Sequence, residues 1–194
     1  MKRIFQIVFS ISFIFCALSF WNLSAEDTSV FHPAAVRKGF YTGMTTGRLF
    51  FTGNDRLLYK DGWVIGFKLG YDIWKYLGLE TDFKLSGQPS TEGSIVANVP
   101  KSFFVYQYIA QLKGGYPITQ RLYAEAGIGG GLFIGSPNMN RTVSATRSMF
   151  YAEMGLEYFM RTRGISIGLD PSIAGVANLQ GAVIQTTGFV RYTF

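Results

Sequence analysis

Strict alternation of side-chain type across residues 62–86 constrains the fold of this chain more than any other feature. Odd positions from 63 to 73 are apolar, whereas the even positions between them are polar or small. After the short turn Trp74-Lys75-Tyr76, the same alternation continues over residues 77–86. Because side chains alternate faces along a strand, this pattern predicts two strands with one apolar face and one polar face. Each run reaches about ten residues with aromatic residues at its ends, which is typical of strands that cross a bilayer in a closed barrel.

Length and composition limit the alternatives. The chain has 194 residues, which fits a single domain, and 48% of them are hydrophobic. No internal run of apolar residues is long enough for a spanning helix, so the composition argues against a helical membrane protein. The formal net charge is +6, but the basic residues are scattered along the chain, and we therefore expect no nucleic-acid partner.

The N-terminus has the layout of a secretory signal peptide. A basic start at Lys2 and Arg3 precedes an uncharged apolar run over residues 4–23, and small residues follow at 24–25. We predict a signal peptide at 1–25; a retained anchor helix is the alternative. Cys16, the only cysteine, lies in this run, so the mature chain is expected to lack disulfides and zinc sites and to carry a charge of +4.

Beyond a predicted periplasmic N-terminal arm at 26–38, residues 39–194 are expected to form an all-β, eight-stranded antiparallel up-and-down transmembrane β-barrel. The predicted connections after strands two, four and six are about four residues long, and those after strands one, three and five are longer, which is the asymmetry of outer-membrane barrels. The longer ones are predicted as loops at Gly53–Asp61, Gly87–Lys101 and Gly135–Arg147.

The first strand, predicted at Gly39–Phe51, is less regular than the others. Its first half places Phe40 on the apolar face, but Leu49 and Phe51 fall on the opposite face. A bulge or register change near Gly47-Arg48 is the predicted reconciliation.

The polar faces of the strands are expected to fill the barrel interior. Eight strands enclose only enough room for their own side chains. Because acids and bases are mixed, we predict a self-neutralising network, with a catalytic or ion-conducting carboxylate cluster as the alternative. The predicted lumen residues are Lys68, Asp72, Glu80, Asp82, Lys84, Gln107, Lys113, Glu125, Glu153, Glu157, Asp170 and Arg191.

Enzymatic and cofactor chemistry lack candidate residues. The only histidine, His32, falls in the predicted arm, so Ser–His and Cys–His nucleophilic machinery has no place on the strands. Glu80 and Asp82 could serve acid–base chemistry, yet lysines on the same face are expected to pair with them. Glycines 127, 129 and 131 are followed by no Lys-Ser/Thr and are expected to leave space for lumen side chains rather than to bind a nucleotide. We therefore predict no catalytic residue, no cofactor, no metal site and no enzyme.

The last strand carries the most specific motif. Its outward row ends with Val190, Tyr192 and Phe194, and this row resembles the terminal signal by which the barrel-assembly machinery recognises outer-membrane barrels. The layout is similar to the small OmpA/OmpX-type barrels. Within that group, FHPAAVRKG at 31–39 and GRLFFTGNDRLLYKDGWVIGFKLGYDIWKYLGLE at 47–80 resemble the CglE-like barrels of adventurous gliding motility. That resemblance implies a component of a surface motility or envelope complex, without catalytic residues.

Three functional hypotheses follow. The first is a non-enzymatic scaffold or contact protein of the bacterial outer membrane, with loops at the cell exterior and termini in the periplasm. Its expected partners are outer-membrane lipid, the barrel-assembly machinery during insertion, and envelope or motility proteins. The second is a narrow channel. The third is a soluble lipocalin-like barrel that binds a small apolar ligand, in which the apolar faces would point inward.

Overall fold

The computed structural model describes residues 39–90, 102–136, 146–161 and 164–194. In this part of the chain, eight antiparallel strands follow one another around a closed barrel, and β8 pairs with β1. The predicted signal peptide and N-terminal arm lie outside the described residues. The strands are β1 (Gly39–Phe51), β2 (Gly62–Trp74), β3 (Leu77–Pro89), β4 (Ser102–Pro117), β5 (Leu122–Ser136), β6 (Thr146–Phe159), β7 (Ile165–Val176) and β8 (Ala182–Thr193), with a short 3₁₀ helix at Gly53–Leu57.

The barrel is mainly apolar outside and is closed by strand pairing around its whole circumference. Outward side chains such as Leu79 and Met154 are 53% and 68% exposed, whereas the inward Lys68 is 1% exposed. This arrangement is the reverse of a soluble barrel and suits a hydrocarbon surrounding, in which every backbone polar group needs an internal partner. Within the described residues, no helix has the length and apolar character needed to cross a membrane.

The predicted hairpin is confirmed. β2 and β3 pair along their length around a turn at Lys75 and Tyr76, with one register shift between Asp72 and Trp74. Odd-numbered side chains of both strands face outward and even-numbered ones face inward. A soluble lipocalin-like barrel would require the opposite facing.

The predicted bulge in β1 is wrong. β1 pairs with β2 without interruption from Gly39 opposite Asp72 to Leu49 opposite Gly62. Leu49 and Phe51 lie on the same inward face as Tyr41 and are buried. The expectation failed because it assumed that every inward position is polar, whereas the interior is apolar at this end of the barrel.

Three predicted loop boundaries are also wrong. β3 continues to Pro89, β5 continues to Ser136 and β6 already begins at Thr146, so Gln88 and Arg147 are strand residues. Both side chains point inward and are buried. Their polarity looked like a loop signal, but a polar residue is equally suited to an inward strand position. Residues 91–101 and 137–145 lie outside the described residues.

The two ends of the barrel differ in their connections. At one, the short-turn end, residues 75–76, 118–121 and 160–164 join consecutive strands. At the other, the long-loop end, residues 52–61 connect β1 to β2. This loop is fastened to the β7–β8 connection, because the buried Asp55 carboxylate accepts a hydrogen bond of 2.9 Å from the Gly181 amide. The Thr52 hydroxyl accepts a hydrogen bond of 2.8 Å from the Ala182 amide and donates one of 2.9 Å to the Ala182 carbonyl.

Candidate functional site

The barrel interior, which is the candidate site, has two halves of different chemistry. The half toward the short-turn end contains most of the charged side chains, whereas the half toward the long-loop end is mainly apolar, although Gln88 and Arg147 are also buried there. All twelve predicted lumen residues are buried, with exposed fractions between 0% and 8%. We call these twelve residues the polar network. The apolar cluster consists of Leu49, Phe51, Tyr59, Val64, Phe103, Val105, Ile109, Phe133, Met149, Tyr151, Ala174, Val176 and Val183.

Glu80 is the centre of the polar network. Its carboxylate accepts hydrogen bonds from the Tyr41 hydroxyl at 2.8 Å and the Gln111 amide at 2.8 Å. The ammonium groups of Lys68 and Lys113 lie 3.2 and 3.4 Å from it. These donors come from β1, β2 and β4, so one side chain on β3 links four strands through the interior.

The cations bridge the remaining carboxylates across the barrel. Lys68 also contacts Asp170 at 2.6 Å. Lys113 contacts Glu125 at 2.9 Å and Glu153 at 3.2 Å. Since a buried charge is tolerated only with partners, this sharing explains how so many ionisable groups are accommodated in the interior.

Arg191 closes the network at the short-turn end. Its guanidinium pairs closely with Asp72, lies 3.5 Å from Glu157, and stacks 3.5 Å from the centre of the Tyr41 ring. Ser166 donates a further hydrogen bond of 2.5 Å to Glu157. Guanidinium groups suit such positions because they bind carboxylates and stack on aromatic rings simultaneously.

A tyrosine joins the two halves of the interior. Lys84 donates a hydrogen bond of 2.7 Å to the Tyr151 hydroxyl, which itself donates to Glu153 at 3.0 Å. Asp82 lies 3.3 Å from Lys84. Tyr151 thereby joins Lys84 and Asp82 to the other charged residues, so that hydrogen bonds and ion pairs connect eleven of the twelve predicted residues in one web. Gln107 instead accepts a hydrogen bond of 2.7 Å from Gln185.

The predicted list of lumen residues left out three members of this web: Tyr41, Tyr151 and Gln111, although Gln111 falls on the predicted polar face of the fourth strand. A usable signal was the glycine that lies opposite each of these three side chains on a neighbouring strand. A Cβ on Gly70, opposite Tyr41, would overlap the Tyr41 ring. Gly129 lies opposite both Gln111 and Tyr151, and a Cβ there would lie 2.7 Å from the Gln111 Cβ. Pairing inward glycines with inward large residues on the next strand would have located them.

Three carboxylates in the web have the geometry of a cation site. Oxygen atoms of Glu80, Asp82 and Glu153 lie within 4.8 Å of one another. Each of these carboxylates also contacts a lysine ammonium group, at distances of 3.2 to 3.3 Å. The lysines therefore supply the positive charge that a bound metal ion would otherwise provide.

The apolar cluster seals the long-loop end. Tyr59, in the β1–β2 loop, packs against Phe51 and Phe103 with ring centres 5.0 and 5.1 Å apart. Burial is the largest effect on its phenol and raises the pKa of Tyr59, so the side chain stays neutral at physiological pH. An isolated antiparallel β-bridge between Tyr59 and Ser90 holds the β1–β2 loop next to the end of β3.

The residues of the predicted assembly signal lie on the outer surface. Val190 and Tyr192 are 49% and 46% exposed on β8, and Phe194 follows the strand at 72%. The Phe194 amide donates a hydrogen bond of 3.0 Å to the Phe40 carbonyl, and its ring packs 5.0 Å from that of Tyr192.

Comparison with known sequences identifies the family. A profile of the Outer membrane protein beta-barrel domain matches residues 13–187. The chain belongs to this family. It is therefore a small outer-membrane β-barrel and its location is the bacterial outer membrane, as the sequence predicted. A search of curated proteins found no match.

Solved structures show the same fold at low sequence identity. Neisserial surface protein A is 14% identical, with a TM-score of 0.60, over 81% of this chain and 98% of that one. OprG from Pseudomonas aeruginosa is 10% identical, with a TM-score of 0.53, over 81% and 97%. A weaker similarity is to the outer membrane enzyme PagL, which is 13% identical, with a TM-score of 0.49, over 79% of this chain and 99% of that one.

Proposed function

We propose that this outer-membrane barrel is a non-enzymatic scaffold or surface contact protein whose interior does not conduct ions. The observation that carries the proposal is the filled interior. Residues of the polar network bridge the short-turn half from several directions, and side chains such as Phe133 and Val105, both 0% exposed, fill the long-loop half. An ion would have to separate the paired charges of the polar network, which is unfavourable for buried groups. It would then have to lose its water to enter the apolar cluster, which carries a large desolvation cost.

Planar-bilayer recording tests the closed interior. We expect the purified, folded barrel to leave the baseline conductance of the bilayer unchanged over a wide voltage range. Insertion is verified separately by protease protection and by the shifted gel mobility of the unheated protein. A steady open current that scales with the amount of inserted protein would favour the narrow-channel alternative instead.

The absence of enzymatic activity is supported by the pairing of the interior carboxylates. Glu80, Glu153 and Asp82 face lysines and are almost completely buried, which leaves no access for a substrate. Activity would require exposure of one of these groups. The experiment is a comparison of outer-membrane lipids from cells with the wild-type chain and with E153Q; a product that appears only with the wild type would contradict this part of the proposal.

The proposed orientation places the long loops at the cell exterior and the short turns in the periplasm. It is supported by the asymmetry of the connections, which is characteristic of such barrels. Asn54, in the long β1–β2 loop, and Gln120, in a short turn, are both exposed and suit single-cysteine labelling. We expect an impermeant maleimide to label N54C on intact cells and Q120C only after the outer membrane is permeabilised.

The terminal residues Val190, Tyr192 and Phe194 are proposed to be read by the barrel-assembly machinery. Their exposure on β8 makes them available before the barrel closes on β1. We expect F194A to reduce the amount of folded barrel in cells while refolding from urea into detergent micelles as well as the wild type. Equal losses in both assays would instead indicate a purely structural role.

The resemblance of residues 31–39 and 47–80 to gliding-motility barrels gives the proposed scaffold its most specific form. In that form, the exposed loops contact surface partners and residues 26–38 contact periplasmic ones. Deletion of the gene should then abolish surface spreading and leave liquid growth unchanged. Restoration of spreading by a chain without residues 27–37 would contradict the role assigned to the arm.

A further inference from the structure

The three connections at the short-turn end share a chemical feature that the scaffold role does not use. Each carries at least one cation: Lys75 between β2 and β3, Arg121 between β4 and β5, and Arg161 after β6. Lys75 and Arg161 are exposed and Arg121 is half-exposed. In the described residues, no Asp or Glu side chain is exposed at this end, because Asp72 and Glu157 turn inward to Arg191.

Exposed aromatic side chains flank these cations. Trp74 and Tyr76, on either side of Lys75, are 63% and 46% exposed, and the Lys75 ammonium lies 4.5 Å from the centre of the Tyr76 ring. Tyr116, close to the second turn, is 70% exposed. Amphipathic aromatic rings of this kind settle at the level of lipid headgroups, with the apolar part of the ring toward the acyl chains.

We propose that Lys75, Arg121 and Arg161 form a cationic rim that binds the headgroups of anionic phospholipids in the leaflet at the short-turn end. The cations are placed around the perimeter, since each follows the previous one by two strands of a closed eight-stranded barrel. A compact patch would suit a single macromolecular partner, whereas a spaced rim matches the ring of lipids that surrounds a barrel.

Turn length keeps the rim at headgroup level. Lys75 belongs to a connection of only two residues, so it cannot move away from the strand ends. Arg56 and Lys60 at the opposite end are also exposed cations, but they belong to a ten-residue loop that includes a 3₁₀ helix and carries the exposed Asp61. A cation near an anionic membrane surface favours association by on the order of fivefold, and salt screens the effect within roughly 10 Å.

Electron paramagnetic resonance of spin-labelled lipids measures this selectivity for the whole lipid annulus. The folded full chain is reconstituted in phosphatidylcholine, and the motionally restricted fraction is compared for spin-labelled phosphatidylglycerol and spin-labelled phosphatidylcholine. We expect the wild type to favour phosphatidylglycerol several-fold at low salt, with the preference falling at 1 M salt, where the screening length is about 3 Å.

A matched pair of variants assigns the preference to the rim. K75Q/R161Q removes two exposed rim cations, and R56Q/K60Q removes two exposed cations from the opposite end. We expect the first to lose most of the selectivity and the second to retain it, with both showing the gel mobility of a folded barrel. Equal selectivity in K75Q/R161Q and the wild type, or an equal loss in both variants, would overturn the proposal. So would capture of a soluble anionic protein by a wild-type chain that shows no lipid preference.

Discussion

Replacement of Glu80 by alanine tests whether the polar network stabilises the barrel or merely fills it. The substitution removes an acceptor that serves Tyr41, Lys68, Gln111 and Lys113 simultaneously. Removal of one partner from a buried ion pair typically costs about 3–5 kcal/mol, because the other charge remains buried without compensation.

The remaining contacts place the expected cost at the lower end of that range. Lys68 keeps Asp170 at 2.6 Å, and Lys113 keeps Glu125 at 2.9 Å, so neither ammonium group is left alone. The loss is then the Tyr41 hydrogen bond, the weakened ion pairs and a small cavity. We expect E80A to lower the free energy of unfolding by about 3 kcal/mol.

Reversible unfolding by denaturant in lipid vesicles measures this difference, with tryptophan fluorescence and gel mobility as independent probes. The control is T81A, because Thr81 is the next residue on β3 and its side chain is exposed on the outer surface. We expect T81A to change the free energy of unfolding by about 0.5 kcal/mol or less. A loss below about 1 kcal/mol in E80A, or equal losses in the two variants, would refute a stabilising role for the network.

Three further substitutions test which side chains face lipid, how closely the interior is packed, and whether Asp55 fastens the β1–β2 loop. L79R should cost about 2–4 kcal/mol if the site is near the bilayer midplane, whereas L79F should cost much less; both are measured by the same unfolding assay. G70A should destabilise the barrel by about 1–3 kcal/mol because its Cβ overlaps the Tyr41 ring, while G175A, with no atom within 4 Å of the new Cβ, should be nearly neutral. D55A removes the acceptor of the Gly181 amide, and we expect faster proteolysis within the β1–β2 loop without loss of the folded barrel.

The alternation of outward apolar residues was sufficient to predict the barrel. β2 and β3 illustrate why: lipid favours apolar residues at outward positions, so Leu79 and most of the other outward residues of these strands produce a period of two that few other folds show over such lengths. The number of strands and the positions of the short turns follow from where this alternation begins and ends along the chain. The confirmed part of the prediction is therefore the part that the membrane dictates.

The interior was harder to predict because no single rule governs it. Leu49 and Phe51 broke the expected polar pattern, and the sequence alone does not reveal whether a bulge or an apolar interior is the reason. Contacts such as those of Tyr41 with Glu80 and Arg191 depend on the register of strands that are far apart in the chain. Register in a closed barrel is a global property, since each pairing constrains the others.

Because the interior has a polar half and an apolar half, an ion that crosses the barrel meets two successive barriers. This arrangement makes a specific prediction about conductance. F133A removes a completely buried ring from the apolar half and should cost about 3–5 kcal/mol. It should nevertheless leave the bilayer current at baseline, because Lys113 still bridges Glu125 and Glu153 in the other half. K113A alone should also remain closed, since the apolar cluster is intact. Only F133A/K113A is expected to conduct, provided that gel mobility shows it to be folded. A current through F133A alone would show that the polar half is permeable to ions and that the apolar cluster is the only barrier.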